Sequence, residues 1–486
     1  MPSTNHADLV DQLRSVFDPD SVAVIGASNT PGKWGFGVFS RLLLSHADRR
    51  LYPVNRQSDE ILGVRAYPHV EAIPGRVELA VIAVPPSAVP QVMRECAGKS
   101  VRAAVVITAG FGETGDEGKA LENEVLTIAR QAGIRFVGPN CMGHFSTATN
   151  MFTTGGVEGM RPGPIACISQ SGNFGGYMLV RGHEMGVGFS KFVSTGNEAD
   201  LHFEDYVEYL ATDDQTRVIT GYVEGLREPR RFFSLAREVT RHKPIVLIKV
   251  GRTSEGAKAA WSHTAALSGE DAVYDAAFRQ CGVIRVDEVD EMFDVAIALI
   301  GQPRPKGRRV GILTGGGGFG VVATDACIKL GLEVPPLLPE TIETLNSRLP
   351  ERWSHANPID MAGVNDISYF CMGTLLKAEN IDAVLGVSCV GYPPDVGLQS
   401  LNLPGLQEIR RQVEFMVNGE VDLVDGLLER VRRYDKPLIL AHSPAGDRSP
   451  ALRKLKENNV FVYPSPERAA RVLARLVQYG EYLAGG

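Results

Sequence analysis

The chain has 486 residues, of which 44% are hydrophobic and 22% are charged, and its formal net charge is -7, from 50 Lys and Arg against 57 Asp and Glu. A mildly acidic chain without a long basic run is not typical of nucleic-acid-binding proteins. The sequence also has no apolar stretch of about 18 residues that would span a membrane. At roughly 150 residues per domain, this length predicts about three domains.

The N-terminal segment and the cysteines indicate a cytoplasmic protein. Residues 1–20 contain four aspartates and lack the apolar core of a signal peptide, so we expect an unprocessed chain in the cytoplasm. The seven cysteines are scattered, and no two are closer than 18 residues. This spacing predicts neither a zinc site nor a dense disulfide framework, and we expect reduced, mostly buried thiols.

Along the chain, one local pattern occurs three times: a short apolar strand, a glycine-rich turn and a helix. The three strand–turn pairs are Ser21–Ile25 with Gly26–Gly32, Pro164–Ile168 with Ser169–Gly176, and Arg309–Leu313 with Thr314–Gly320. Further predicted strands are Arg50–Val54, Leu79–Val84, Ala103–Thr108, Arg135–Val137, Val218–Val223, Pro244–Val250, Val283–Val286, Ala383–Val390, Pro437–Ala441 and Val460–Val462. Continuously apolar strands that alternate with helices predict parallel sheets covered on both faces.

Two stretches rich in glycine and proline predict domain boundaries. They are residues 149–164 and residues 301–307. The predicted domains are therefore 1–150, 151–302 and 303–486.

The first glycine-rich turn does not have the spacing of a dinucleotide-binding fingerprint. Gly26-Ala27-Ser28 lacks the G-x-G-x-x-G pattern, and the next predicted strand ends in Asn55-Arg56 instead of an acidic residue. An NAD(P)-linked dehydrogenase is therefore an unfavoured alternative. Lys33 and Arg56 would suit phosphate groups, although each could equally be a solvated surface charge.

The second and third turns are candidate anion sites, because a turn that opens a helix exposes backbone N–H groups at the positive end of the helix dipole. Both suit a small tetrahedral anion such as phosphate, and two such helix ends meeting head-on could clamp one phosphoryl group. The predicted phosphate-binding residues are Ser169, Gln170, Ser171, Gly172, Gly315, Gly316, Gly317 and Gly318. The simpler alternative is a turn that needs glycine only for positive φ.

His263 stands out among the ten histidines, because it lies in a run of small residues between a predicted strand and a predicted helix. Such a loop is expected to move, and a neutral imidazole can attack a phosphoryl centre. The alternative is a histidine that caps a helix or hydrogen-bonds its own loop. Glu224 follows a predicted strand at the carboxyl edge of its sheet, where it would orient the other ring nitrogen; the alternative is an exposed loop charge.

Taken together, the motifs resemble the α subunit of ADP-forming acyl-CoA synthetases, relatives of succinyl-CoA synthetase. The resemblance covers nearly the whole chain, and the order and spacing of the motifs make it specific. The motifs are Val24–Ser28 with Lys33 and Gly35, Tyr52–Asn55, Ala83–Pro86, Thr108–Glu113, Gly138–Cys141, Ser169–Phe174, Val223–Gly225, Ser262–Thr264 with Leu267 and Gly269, Thr314–Gly320, and Asn357–Asp360.

This resemblance implies an α/β fold with an N-terminal Rossmann-like CoA-binding domain followed by two flavodoxin-like parallel α/β domains. It implies that His263 is phosphorylated and supported by Glu224, with the two anion loops around its phosphate. The implied CoA-binding residues are Gly26, Ala27, Ser28, Lys33, Asn55, Val84, Pro85, Pro86, Gly110, Phe111, Gly112, Asn140 and Cys141. In the family the histidine is often followed by Thr-Gly, whereas here the loop reads His263-Thr264-Ala265.

The activity that the resemblance implies is that of an acid–thiol ligase. Acid, CoA and ATP would be interconverted with acyl-CoA, ADP and phosphate, through an acyl phosphate and a phosphohistidine. The ATP-grasp portion of the family has no counterpart in this sequence. We therefore expect ATP or ADP with Mg²⁺ mainly in a separate ATP-grasp β subunit, an α2β2 heterotetramer, a small carboxylic acid as substrate, and no metal site in this chain.

The alternative to catalysis is a CoA-binding regulatory or scaffold protein that has lost its activity, although such a protein has no need to keep His263, Glu224 and both anion loops. The candidate wall residues of the acyl pocket are Met142, His144, Phe145, Phe174 and Tyr177.

Overall fold

The chain is described by a computed structural model that covers residues 6–45, 48–154, 160–253, 255–256, 271–361, 367–391, 405–443 and 446–485. It divides into two compact units, Met1–Met292 and Phe293–Gly486. The first unit contains two large sheets and the second contains one.

The N-terminal sheet of the first unit is parallel and has the strand order β2-β1-β5-β6-β7. All residues of β1, β5 and β6 are buried, as expected for a parallel sheet covered on both faces. The order reverses between β1 and β5, so the loops after these strands open onto one crevice. In chain order the elements are α1 (His6–Phe17), β1 (Ser21–Ile25), α2 (Trp34–Leu44), β2 (Arg50–Val54), a hairpin of β3 (Glu60–Ile61) and β4 (Val64–Arg65), β5 (Leu79–Ile82), α3 (Val89–Gly98), β6 (Ala103–Val106), α4 (Asp116–Gln131) and β7 (Arg135–Val137).

The second sheet of this unit has the order β14-β13-β12-β10-β11-β8-β9 and is parallel except for β8 and β9. Its order reverses between β10 and β12, which places the loops after these two strands at a second crevice. Its elements are β8 (His144–Ser146), β9 (Met151–Phe152), β10 (Pro162–Ser169), α5 (Gly172–Glu184), β11 (Phe189–Ser194), α6 (Phe203–Ala211), β12 (Val218–Val223), α7 (Pro229–Val239), β13 (Ile245–Lys249), α8 (Asp271–Gln280) and β14 (Ile284–Val286).

The second unit is built on the parallel sheet β16-β15-β17-β18-β19. The helix that precedes it, α9 (Val289–Gly301), crosses the division between the units. The remaining elements are β15 (Val310–Thr314), α10 (Gly317–Lys329), α11 (Pro339–Asn346), β16 (Ile359–Asp360), α12 (Ser368–Lys377), β17 (Ala383–Val387), α13 (Leu406–Tyr434), β18 (Leu438–Ala441), α14 (Pro450–Glu457), β19 (Val462–Tyr463) and α15 (Pro466–Ala484).

The predicted parallel α/β architecture is confirmed, while the division into 1–150, 151–302 and 303–486 stays a prediction. Two observations bear on that division. The hairpin β8–β9 spans residue 150 and belongs to the second sheet. Asp294 in α9 accepts a hydrogen bond from Arg468 Nε at 2.7 Å, which ties this part of the helix to the second unit.

Two further features concern the described helices and the cysteines. None of the described helices is long and apolar enough to cross a membrane. All seven cysteines are free thiols in buried positions. Burial raises the pKa of Cys141 and Cys167 to about 12, so these two are not nucleophiles at neutral pH.

Candidate functional site

A cavity of about 730 Å³ in the first unit is lined by loops that follow strands of both of its sheets. Among the residues predicted to hold CoA, Val84, Gly112, Asn140 and Cys141 line it. Among those predicted to hold phosphate, Gln170, Ser171 and Gly172 line the same cavity. The predicted CoA-binding and phosphate-binding residues, which are far apart in the sequence, therefore line the same cavity.

The loop after β1 is held by close backbone packing. Gly26 has φ +94°, and a Cβ atom there would lie 2.4 Å from the carbonyl oxygen of Ala83, at the end of β5. A Cβ atom at Gly35 would lie 1.8 Å from the Gly26 carbonyl oxygen, so α2 approaches the loop as closely as glycine allows. Glycine is therefore the only residue that fits at these two positions without a shift of the backbone.

The side chains of this first loop have different surroundings. Asn55 Nδ2 donates to the Ala27 carbonyl at 2.8 Å, and Asn55 Oδ1 accepts from two backbone N–H groups, so this amide fixes the loop. Ser28 is buried, and its hydroxyl accepts from Thr30 N at 3.0 Å. Lys33 is exposed at the start of α2, where an ammonium group can meet a phosphate.

The loop after β6 is closed by acidic side chains. The N–H groups of Gly110 and Phe111 donate to Glu113 Oε1 at 2.5 and 3.2 Å. The N–H of Gly112 donates to Glu122 Oε2 at 3.3 Å. These three backbone donors therefore organise their own loop, and Gly110 also packs on the ring of Pro86, which begins a turn after Pro85.

Asn197 joins these two carboxylates across the cavity. Its Nδ2 donates to Glu113 at 2.6 Å and to Glu122 at 2.9 Å. Its Oδ1 accepts from Asn140 Nδ2 at 3.2 Å. Burial alone would raise the pKa of Glu113, but the hydrogen bonds from Asn197 and the backbone outweigh it and lower that pKa.

The turn before Cys141 has two left-handed residues, Gly138 at φ +95° and Asn140 at φ +58°. The carbonyl oxygen of Pro139 accepts from Asn197 N at 2.9 Å. The thiol of Cys141 donates to the Val106 carbonyl at 3.3 Å and is buried. Cys141 thus packs against the end of β6 and lines the cavity, and its part in CoA binding stays a prediction.

The N-terminus of α5 also borders the cavity. Ser171 caps this helix by accepting from Phe174 N at 3.3 Å, and Ser169 Oγ donates to the Ser171 carbonyl at 2.7 Å. Gly172 and Asn173, in the first turn, line the cavity. The first N–H groups of a helix have no partner within it, so this end can hold an anion.

Gln170 connects the end of β10 to the end of β12. Its Oε1 accepts from Glu224 N at 2.6 Å and Gly225 N at 3.1 Å. Its Nε2 donates to the Gly225 carbonyl at 2.7 Å and to Glu198 Oε1 at 3.0 Å. Because all four hydrogen bonds of this amide stay within the chain, its side chain positions the neighbouring groups.

Glu224 is buried at the carboxyl end of β12, not exposed on a loop. Burial, and then the charge of Glu224, raise the pKa of the Tyr222 phenol. Lys249, at the end of β13, has its pKa lowered to about 8, first by burial and then by Arg285, while the charge of Glu224 opposes the shift. A carboxylate in this position has restricted solvent access, which strengthens its interactions.

His263 lies outside the described residues, so its relation to Glu224 stays a prediction. In the second unit, Gly315–Gly318 follow β15 and begin α10. A Cβ atom at Gly316 or Gly318 would meet nothing within 4 Å, so the backbone there is open to a ligand. This loop fits an anion by itself, and the clamp with the α5 N-terminus also stays a prediction.

The acyl pocket stays a prediction, and the residues expected at its wall have different surroundings. Met142 lines the cavity. His144 and Phe145 are wrong, because both are fully buried within β8. Burial lowers the pKa of His144 to about 4, and its Nε2 lies 2.7 Å from the Val16 carbonyl oxygen.

Several cavity residues were not predicted from the sequence. They follow strand ends or lie on helices beside them: Trp34, Glu113, Lys119, Glu122, Asn197, Glu198 and Arg227. The one signal for Asn197 and Glu198 is their place after a glycine, and β11 itself was not predicted. Without that strand the sequence does not place them at a sheet edge.

Two family descriptions match the chain. Residues 20–146 match a CoA binding domain, and residues 162–299 match a succinyl-CoA ligase like flavodoxin domain. The chain is 39% identical to the acetate–CoA ligase [ADP-forming] II subunit alpha of Pyrococcus furiosus, over 97% of this chain and 98% of that protein. It is 43% identical to acetate–CoA ligase [ADP-forming] I of Archaeoglobus fulgidus, over 77% of this chain and 54% of that protein.

A solved structure agrees with these sequence matches. It is an acetyl-coenzyme A synthetase of Candidatus Korarchaeum cryptofilum in complex with phosphate and ADP. The TM-score is 0.84 at 32% identity, over 97% of both chains.

Proposed function

This chain belongs to the family of ADP-forming acyl-CoA synthetases, and from that premise we propose that it is the α subunit of an acid–thiol ligase that interconverts acid, CoA and ATP with acyl-CoA, ADP and phosphate. The observation that carries the proposal is the shared cavity of the first unit. Its wall includes Val84 and Asn140 from the predicted CoA site and Ser171 and Gly172 from the predicted phosphate site. A thioester and a phosphate can therefore meet there.

The first step forms an acyl phosphate. An oxygen of HPO₄²⁻ attacks the thioester carbonyl, the carbon–sulfur bond breaks, and the phosphate proton passes to the departing sulfur to give CoA. The N-terminus of α5, at Ser171–Asn173, faces the phosphate and stabilises its charge.

The second step passes the phosphoryl group to His263. Its neutral ring nitrogen attacks phosphorus, the phosphorus–oxygen bond to the acyl group breaks, and the free carboxylate leaves. Glu224 accepts a hydrogen bond from the other ring nitrogen and stabilises the charge that develops on the ring. A third step transfers the group from His263 to ADP.

The nucleotide step is assigned to an ATP-grasp β subunit on a separate chain. The P. furiosus relative is named a subunit alpha, which supports a partner of this kind. We propose an α2β2 assembly, with Mg²⁺ bound beside the nucleotide in the partner. We also propose that the protein is located in the cytoplasm. Within the described residues, no group of three or more His, Cys, Asp or Glu side chains could hold a metal ion.

A reconstituted pair tests this function. The purified chain is mixed with an ATP-grasp β subunit, CoA, Mg²⁺ and ATP, and a panel of small carboxylic acids that includes acetate is assayed for ADP and acyl-CoA. We expect both products with at least one acid, and we expect CoA, but not NAD⁺, to raise the melting temperature of the chain alone.

Two other results would contradict the proposal. Stabilisation by CoA without turnover of any acid would favour the scaffold alternative. Stabilisation by NAD⁺ but not by CoA would favour a dehydrogenase.

A further inference from the structure

Glu198 is a buried carboxyl group on the wall of the cavity, and none of the steps above uses it. Its side chain is 4% exposed and lines the cavity. The residue has φ +54°, which is unusual for a glutamate. Backbone hydrogen bonds hold it there, because Asn197 N and Ala199 N donate to the carbonyl oxygens of Pro139 and Gly138. Conformations of this kind persist where the surrounding structure fixes them, and they cluster at functional sites.

The hydrogen bonds of Glu198 determine which of its oxygens can carry a proton. Gln170 Oε1 accepts from two backbone N–H groups, so its amide orientation is fixed and its Nε2 must donate to Glu198 Oε1, at 3.0 Å. Thr195 Oγ1 donates to the same Oε1 at 2.9 Å. An oxygen that already accepts two hydrogen bonds is the poorer place for a proton. A proton on this carboxyl therefore lies on Oε2, the oxygen that accepts from neither of these donors.

The charges around Glu198 favour its neutral form. Burial, and then the neighbouring Glu204, raise its pKa to about 8, against the hydrogen bonds and the charge of Arg227, which lower it. Arg227 instead donates to the Asn197 carbonyl at 3.0 Å, and no ion pair joins Glu198 to a cation within the part of the chain that the structure describes.

The other titratable groups near Glu198 do not reverse this balance. From α6, Tyr206 is fully buried with its pKa raised, first by burial, and Glu198 is among the smaller causes. At the end of β12, the backbone N–H of Glu224 is linked to Glu198 through Gln170, and Glu224 is a further buried acidic residue of this region. Glu113 and Glu122, which also line the cavity, accept hydrogen bonds from Asn197 and add negative charge, while Lys119 pairs with Glu122. Acids outnumber bases around Glu198, and this balance favours the protonated form of its carboxyl group.

We propose that Glu198 binds the phosphate of the reaction as a neutral acid, donating a hydrogen bond from Oε2 to a phosphate oxygen held at the N-terminus of α5. The inference rests on the proposed function, because it needs phosphate in this cavity. An ionised carboxylate would repel a phosphate dianion, whereas a carboxylic acid donates to it. Gly172 and Asn173, which line the same cavity, supply backbone donors for the remaining oxygens.

The proposal gives phosphate binding a specific pH dependence. Below the pKa of Glu198 the donor is present, and above it the donor is lost and a negative charge is added. The KM for phosphate should therefore rise with pH, by up to about tenfold per unit above about pH 8. The ionisation of phosphate itself contributes equally in every variant.

The test uses the chain with its ATP-grasp partner and measures the reaction of acyl-CoA, ADP and inorganic phosphate. The KM for phosphate is compared between wild type and Glu198→Gln. Glutamine keeps an oxygen for Gln170 and Thr195 and places an N–H₂ donor where the acid has O–H, but it does not titrate. We expect its KM for phosphate to lie within about threefold of wild type at neutral pH and to stay level where the wild-type value rises. Glu228→Gln, at an exposed position, is the matched control and should follow wild type.

Parallel pH profiles for wild type and Glu198→Gln would overturn the proposal, as would a wild-type KM that does not rise. Should Glu198→Gln fail to fold, infrared spectroscopy of the wild-type chain decides. We expect a protonated-carboxyl band that shifts when inorganic phosphate is added and disappears as pH rises through about 8, and its absence would overturn the proposal. A wild-type pair without turnover contradicts the proposed function instead, and the infrared band then tests Glu198 alone.

Discussion

Glu224 is a buried residue whose backbone is anchored by a hydrogen bond. Its N–H donates to Gln170 Oε1 at 2.6 Å, and the residue is buried at the end of β12. A carboxylate fixed in this way can orient an imidazole and stabilise its positive charge without first reorganising. The proposed role of Glu224 is therefore electrostatic, and it depends on the charge of the group more than on its shape.

Replacing Glu224 by glutamine tests this role, because the amide keeps the size of the side chain and removes the charge. We expect Glu224→Gln to slow phosphorylation of the chain by about 10- to 100-fold and to leave CoA affinity nearly unchanged. The rate is measured with labelled ATP and the β subunit, and affinity by titration with CoA.

The matched control for this experiment is Glu228→Gln, four residues away, where the side chain is 50% exposed and pairs with Arg231. It should phosphorylate at the wild-type rate. Turnover by Glu224→Gln equal to that of wild type would remove Glu224 from the mechanism.

At the scale of the element, α5 positions the anion site through one tightly packed glycine. A Cβ atom at Gly175 would lie 2.9 Å from Phe192 Cζ and 2.9 Å from Ser169 Cβ, so the helix lies directly on the sheet there. At the next residue, Gly176, the nearest atom would be Met142 Cε at 3.8 Å, an ordinary contact. The two glycines are neighbours in the same helix and lie about equally far from the site. They differ in how closely the sheet packs against them.

The pair gives a prediction with its own control. Gly175→Ala should destabilise the protein by about 1–3 kcal/mol and weaken phosphate binding, because α5 must move away from the sheet. Gly176→Ala should be neutral or stabilising by up to about 1 kcal/mol, since alanine is the better helix former. Thermal unfolding and the KM for phosphate measure both effects. Equal destabilisation by the two variants would show that packing at Gly175 does not position the helix.

The strands show which part of the fold could be predicted from sequence. β1, β5 and β12 were predicted because they are short, mostly apolar runs that alternate with helices. β11 was not, because Ser190, Lys191 and Ser194 interrupt it. The structure buries these polar groups by supplying partners from elsewhere, such as Asp213, whose carboxylate lies 2.8 Å from Lys191 Nζ. Such partners come together only in the tertiary fold, so the local sequence of β11 contains no pattern that predicts a buried strand.

The same reason explains which parts of the site were found. The anion loops were predicted because a glycine-rich turn before a helix is a local feature. Asn197 and Glu198 were missed because they depend on an unpredicted strand and on partners far away in sequence. Gln170 was predicted for its position in the loop, and its bridge to the end of β12 appears only in three dimensions.

At the scale of the whole molecule, the chemistry is divided between sites that must exchange a phosphoryl group. The first unit holds the cavity where we propose that acyl-CoA and phosphate react, and the nucleotide is assigned to a partner chain. A phosphorylated histidine allows both reactions to proceed in separate places, each with its own electrostatic environment. We therefore propose that His263 carries the phosphoryl group between these sites.

Labelling of His263 tests that claim most directly. The purified chain is mixed with an ATP-grasp β subunit, Mg²⁺ and ATP labelled in the γ-phosphate, and acid-labile phosphate on the chain is measured for wild type and His263→Ala, with CoA-induced thermal stabilisation as the control for folding. We predict that wild type is labelled and loses the label to ADP, and that His263→Ala is stabilised by CoA but remains unlabelled. Labelling of His263→Ala to the wild-type level would contradict it.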